Sequence, residues 1–203
     1  MRFRFENDDC AADKKLARVV ATDALERTAM PDAAVDAPLP ADATGPEARP
    51  VHRYAVRCAW TGSTACGYDA YVRAHGASAP PAEAGLRLSG DPAFGGDPAC
   101  LNPEQLLVLA AASCQLLSFL AVAARARLDV VAYEDDGDGE MPEADKPVRI
   151  TRITLRPRIT IVGDVAEDRV RHLVEVAHRE CFIANSLKTE VVVEPVIEIR
   201  RPD

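Results

Sequence analysis

The apolar positions of this chain switch several times between two-residue and helical spacing. In "HRYAVRCAW" (52–60), Tyr54, Val56, Cys58 and Trp60 alternate with other residues, which predicts a half-buried strand. Gly62 and its small neighbours turn the chain, and "YDAYVRAH" (68–75) is expected to return as a second strand. Pro80, Pro81, Gly90, Pro92, Gly95, Gly96 and Pro98 then mark a long irregular connection, a kind of segment that often carries function. The next pattern is unbroken by charge: from Leu106 to Ala124, 19 residues carry none. Asn102, Pro103 and Gln105 fit the N-cap, first and third positions of a helix that contains this run.

Such a helix is almost long enough to span a bilayer. Ser113, Cys114, Gln115 and Ser118 within it, and the charged strand-like sequence that follows, favour a buried helix instead. Being apolar on nearly every face, it must be covered on every side. A homodimer that packs it against its twin is therefore expected. Beyond it, "DVVAYED" and "VRITRITLRPRITIVG" read as two strands, the second with Ile153, Leu155, Ile159 and Ile161 alternating, separated by the acidic loop "DDGDGEMPEADK". Asp164 and Glu167 have the spacing of a capping box for a second helix. The apolar stripe of that helix, Val170, Leu173, Val174 and Ala177, extends to Cys181. "TEVVVEPVIEIR" reads as a last strand, with Pro195 at an edge or bulge. This order predicts an α+β domain.

Composition refines the picture. Of 203 residues, those before Val51 differ from the rest: "MPDAAVDAPLPADATGPEARP" offers little to bury and reads as a flexible linker, preceded by one short amphipathic helix at most. The expected division is an Ala-, Asp- and Pro-rich arm over 1–48 and a folded domain over 49–203. A formal charge of −8 argues against nucleic acid or an anionic membrane as partner. "MRFRFENDDC" lacks the apolar core of a secretory signal, so a soluble cytoplasmic protein is expected. The six cysteines, 10, 58, 66, 100, 114 and 181, lack the density of a disulfide scaffold. Neither His178 with Cys181 nor Cys58, Cys66 and His75 gives a recognisable four-ligand metal spacing.

Two of these cysteines carry the candidate chemistry. By composition Cys114 reads first as a small core hydrophobe, and local features shift the balance toward a nucleophile. Ser113 before it is a good N-cap residue. Were the helix to break there, Cys114 would occupy the first turn of a new segment, where backbone N–H groups favour thiolate. Cys181 sits where its own helix should end, before the loop-like "IANS". Glu104 lies ten residues before Cys114. In an unbroken helix the two would be about 15 Å apart along the axis.

"NPEQLLVLAAASC" resembles the first-cysteine motif of the OsmC/Ohr family of thiol-dependent peroxidases, and "HRECFIANSL" its second. "WTG", "YDAYVRAH", "GDPAFGGDP", "VVAYED" and "LRPRITI" add to the likeness, which covers roughly 51–199 and points to an OsmC-like subgroup. The resemblance implies antiparallel sheets around a long central helix in an intertwined homodimer, with active sites near the subunit boundary. It implies that Cys114 is the peroxidatic cysteine, attacking a hydroperoxide to give a sulfenic acid, and that Cys181 resolves it as a disulfide. A dithiol or other thiol reductant then restores both, without metal or organic cofactor. The apolar surroundings of Cys114 favour organic hydroperoxides.

The family also uses an arginine–glutamate pair, the guanidinium stabilising thiolate and the carboxylate holding the guanidinium. Glu104 matches the glutamate; the alternative is that it serves only the first turn of its helix. Where related sequences read "AFRGD", this chain has "AFGGD", with Gly95 at the arginine position. Arg73 is the first replacement and Arg87 the second. Gln115 stands where a histidine often follows the first cysteine. These departures leave a second reading: a catalytically weakened relative that binds an apolar or thiol-bearing ligand in the same pocket.

Overall fold

The computed structural model describes residues 51–65 and 67–201. The expected arm over 1–48, with its short helix, and Cys66 lie outside the described residues. The chain forms two compact units divided between Asn102 and Pro103.

The first unit holds a small antiparallel meander of β1 (Arg57–Ala59), β2 (His75–Ser78) and β3 (Leu86–Leu88), with Cys58 opposite Ala77 and Gly76 opposite Arg87. The expected strand over 52–60 shortens to three residues, and Tyr54 and Val56 stand 90% and 76% exposed. Its partner β2 is only four residues long and pairs with Arg57–Ala59 alone, so nothing holds the earlier residues in a ladder. "YDAYVRAH" does not form the second strand; pairing begins only at His75. The cause is Arg73. Its guanidinium donates to the carbonyls of Tyr68 (2.7 Å), Tyr71 (3.2 Å) and Gly95 (3.3 Å), and lies over the rings of Tyr68 and Tyr71. Those bonds fold the segment around the cation instead of extending it.

The connection after β3 is tightly organised. Asp91 caps a 3-10 turn, Pro92–Phe94, by accepting from the Ala93 N–H at 2.8 Å, and Gly95 ends it at φ 78°. Glycine is required at 95 twice over. The left-handed backbone disfavours a side chain, and a Cβ there would lie 3.0 Å from Arg73 Nη1.

The second unit begins with α1, Pro103–Arg125, whose first residue is the proline expected at that place. It ends in a Schellman arrangement: Leu128 N–H donates to Ala123, Arg127 N–H donates to Ala124, and Arg127 takes φ 59°. Strand β4 (Asp129–Asp135) pairs antiparallel with β7 (Pro157–Val162), which pairs in parallel with β9 (Val196–Arg200). A second sheet orders β5 (Asp138–Glu140), β6 (Arg152–Leu155) and β8 (Glu190–Val193). Thus β5 lies inside the expected acidic loop. Each long strand-like run, 148–163 and 189–200, is also divided between the two sheets. The break falls at Arg156 in one run and at Glu194–Pro195 in the other. Arg156 bonds Asp138 and reaches Glu194 at 3.5 Å. Its N–H turns to the Asp135 carboxylate, and Pro195 has no N–H for a ladder.

Helix α2 (Glu167–Glu180) starts with Ala166 as N-cap and without a side-chain cap, so the expected Asp164 capping box does not form. The helix starts too late for it: Glu167 is already helical and accepts from Arg171 one turn on. Its stripe packs as expected, with Val170, Val174 and Ala177 buried against Phe119, Val122 and Ala123 of α1 and Ile159 and Ile161 of β7. A second cluster joins Ala111 of α1 to Ile150, Ile153 and Leu155. A short helix, α3 (Phe182–Ser186), follows α2 directly.

The long helix is not covered on every side by the described residues. By length and composition it would be able to cross a membrane. Phe119 is wholly buried, but Leu109 and Leu117 are 56% and 63% exposed along one face.

Arg127→Gly is expected to stabilise the second unit by about 0.5–1 kcal/mol, because a left-handed residue bearing a Cβ costs roughly 1–2 kcal/mol and glycine returns part of that as chain entropy. Urea unfolding of the two proteins measures the difference.

Candidate active site

Helix α1 runs unbroken through Ser113 and Cys114, so Cys114 does not start a new helical segment. Its neighbours explain the continuity. Ala111, Gln115 and Phe119 are buried on one face and hold the backbone helical across Ser113, which is exposed. The backbone donor to the sulfur comes from elsewhere. Ile183 N–H, in the first turn of α3, points at Cys114 Sγ at 3.5 Å.

Cys181 occupies the junction of α2 and α3, as C-cap of one and N-cap of the other, with φ −70° and ψ 110°. The apolar stripe of α2 carries it inward, and it is 1% exposed. Both cysteines are free thiols, and the Cys181 thiol hydrogen-bonds Cys114. The junction that carries Cys181 thus lies against Cys114 through the Ile183 N–H, across the 67 residues that separate the two cysteines in the chain.

The two sulfurs differ in acidity. Partial burial pushes the Cys114 thiol up, but donors from Ile183, Cys181, Phe182 and Ser118 outweigh it and bring the pKa below its ordinary value. Burial pushes Cys181 up to about 11, and the hydrogen bond to Cys114 and the charge on Cys114 act in the same direction. Cys114 is thus the more acidic thiol of the two and Cys181 the one that keeps its proton. Ser118 was not foreseen as a contributor, although it lies four residues after Cys114 on the same helical face.

A groove of about 790 Å³ exposes Cys114. Ala110, Leu117, Ala121, Phe182 and Ile183 make its wall largely apolar, and Arg125, Arg179 and Glu180 stand among the residues lining it. Beneath, Gln115 is buried and donates to the Val174 carbonyl at 3.4 Å, while its Oε1 has no partner. The Tyr133 phenol is also buried without a partner; burial, then Asp135 and Cys181, holds its proton firmly.

Glu104 is in the first turn of α1, ten residues from Cys114, and its Oε2 is buried without a hydrogen bond. Since the helix does not break, about 15 Å of axis separates the two. Arg73 belongs to the first unit, where its guanidinium fills the space against Gly95. Arg87, also there, donates to Cys100 Sγ at 2.8 Å and pairs with Asp97 at 3.2 Å. Among the described residues no group of three or more His, Cys, Asp and Glu side chains is placed to hold a metal ion.

The profile of the OsmC-like protein family matches residues 95–196. Among solved structures, an OsmC-like protein of unknown function from Vibrio cholerae is 27% identical, covers 72% of this chain and 100% of its own, and superposes with a TM-score of 0.66. An organic hydroperoxide resistance protein from Legionella pneumophila is 16% identical, with 74% and 99% coverage and a TM-score of 0.53. One from Elizabethkingia anophelis is 14% identical, with 75% and 100% coverage and a TM-score of 0.55. No curated protein matches the chain.

Alkylation across a pH series reads the acidity order directly. Cys114 should become reactive at lower pH than Cys181. Cys181→Ala should move the Cys114 midpoint upward, because one of the donors to its sulfur is lost.

Proposed function

Because the chain belongs to the OsmC-like protein family, we propose that it is a thiol-dependent peroxidase that reduces organic hydroperoxides through Cys114 and Cys181. The observation that carries this reading is the pair itself: one sulfur acidified and open to an apolar groove, hydrogen-bonded to a second that is buried and protonated.

Each step uses that asymmetry. The Cys114 thiolate attacks the terminal oxygen of R–O–OH; an S–O bond forms, the O–O bond breaks, and the alkoxide leaves as alcohol after taking a proton. Sulfur loses two electrons and the peroxide gains them. Cys181 then attacks the sulfenic sulfur; an S–S bond forms, and hydroxide leaves as water with the proton that Cys181 surrendered. A thiol reductant, such as a dithiol, reopens the disulfide by exchange. The raised acidity constant of Cys181 orders these events. While Cys114 is an anion, its charge helps keep Cys181 protonated. Conversion to a neutral sulfenic acid removes that charge, and Cys181 ionises more easily when its turn comes.

The exposed leucines of α1 support action as a homodimer, a second copy covering Leu109 and Leu117 and roofing the groove, and the proposed compartment is the cytoplasm. The guanidinium of the family mechanism is assigned to Arg73, whose positive charge meets only neutral carbonyls and ring faces among the described residues. The companion carboxylate is assigned to Glu104, whose buried Oε2 has no hydrogen-bond partner among the described residues. The second reading, a weakened relative that binds an apolar or thiol-bearing ligand, is favoured by one feature, glycine at 95 in place of the family's arginine.

Addition of cumene hydroperoxide to the reduced protein separates the two. The peroxidase loses two thiols per chain rapidly and turns over when dithiol is supplied, whereas a binding protein retains its thiols at stoichiometric peroxide. Cys114→Ser should fall to the uncatalysed background. Cys181→Ser should stop after one turnover with Cys114 as sulfenic or over-oxidised acid. Arg73→Ala should slow peroxide consumption without changing the two-thiol stoichiometry. Wild-type turnover in Cys114→Ser would end the proposal.

A further inference from the structure

The first unit contains a second sulfur held by charged groups. Cys100, near the end of the connection after β3, accepts from Arg87 Nη1 at 2.8 Å. The other end of the same guanidinium donates to Asp97 Oδ2 at 3.2 Å, and the Cys100 thiol itself faces that oxygen at 3.7 Å. Asp97 is fixed in turn: its Oδ1 accepts from Ala99 N–H at 3.0 Å, and its own N–H donates to the buried Ser89 hydroxyl at 3.0 Å. Cys100 is only half-buried, so a small molecule has access to it.

The arrangement has the parts that peroxide chemistry at sulfur requires. A guanidinium lies against the sulfur, where it stabilises the anion, steers a peroxide and receives the charge that develops on the leaving oxygen. A carboxylate locks the guanidinium in place. We propose that Cys100, with Arg87 and Asp97, is a second peroxide-reactive sulfur of this protein, independent of Cys114 and Cys181.

The chemistry balances with a hydroperoxide as the oxidant. Cys100 thiolate and ROOH give the sulfenic acid and ROH: an S–O bond forms, the O–O bond breaks, sulfur loses two electrons, and the departing alkoxide takes a proton. Among the described residues Cys100 Sγ meets Arg87 and Asp97 and no cysteine sulfur, so the sulfenate is open to a second equivalent. That step gives a sulfinate and a second ROH. The new oxygens bind Arg87 in competition with Asp97. Burial raises the Cys100 thiol above its ordinary range despite Arg87, so this sulfur reacts more slowly than Cys114 and records excess peroxide rather than carrying the main flux.

The test removes the main pair. In a Cys114→Ser/Cys181→Ser chain treated with cumene hydroperoxide, peptide mass spectrometry follows Cys100 with exposed Cys58 as internal reference. Dimedone should label Cys100, and without dimedone the Cys100 peptide should gain two oxygens. Arg87→Gln should slow Cys100 relative to Cys58 by about tenfold, the scale of one lost charge-assisted contact of about 1.4 kcal/mol. If Arg87→Gln does not fold, Arg87→Lys keeps the charge without the fork and should also slow it. Cys100 that stays reduced, or that oxidises at the same rate relative to Cys58 in both folded proteins, overturns the proposal. Because Cys114 and Cys181 are absent from this chain, neither result depends on whether they form a peroxidase.

Discussion

The Ile183 N–H that reaches Cys114 Sγ joins two helices through one atom of each, and the chemistry of the second unit is arranged around it. A thiol in the middle of a helix has no orphan N–H from its own backbone; those donors are spent on carbonyls four residues back. The fold supplies the donor from a neighbour. Helix α2 ends at Glu180, Cys181 turns the chain, and α3 begins with its first amides toward α1. The same turn that aims Ile183 also places the second sulfur. The Ile183 donor and the placing of Cys181 are two consequences of one helix junction, and neither can shift without disturbing the other.

The core explains why this junction stays in place. Val170, Val174 and Ala177 lock α2 onto Phe119, Val122 and Ala123 of α1 in a dry cluster. Between that cluster and the solvent lies Gln115, which grips the Val174 carbonyl across the two helices. Packing therefore sets the relation of α1 to α2 one turn below the reactive sulfur. The groove above inherits a rigid floor and an apolar wall.

Much of this was legible in the sequence. The charge-free run, Pro103 at its head, and the stripe from Val170 to Cys181 each pointed to the observed helices. The two motifs that resemble OsmC/Ohr sequences singled out Cys114 and the turn after Cys181 that faces it through the Ile183 N–H. What was not legible depends on partners distant in the chain. Nothing local in "RITRITLRPRITIVG" reveals that Arg156 passes the chain from one sheet to another, since the break depends on Asp135, Asp138 and Glu194 meeting it there. "YDAYVRAH" has strand composition, yet Arg73 finds carbonyls and rings that fold the segment, including Gly95 O, 22 residues on. A helix break at Ser113 would be a local answer to a real need, a donor for Cys114, but α1 runs on unbroken. The fold met that need through Ile183, 69 residues away.

The continuity of α1 has a mechanical implication. A disulfide demands a sulfur separation of about 2.05 Å, shorter than any hydrogen-bonded approach of two thiols. Cys114 is anchored in a helix of 23 residues with Phe119 sealed in the core below it. The compliant member is the two-helix elbow at Cys181, followed by only five helical residues that include Phe182, 80% exposed. In the proposed reaction, closing the bond flexes the elbow toward a stationary rod and carries the exposed Phe182 ring, which lines the groove, along with it.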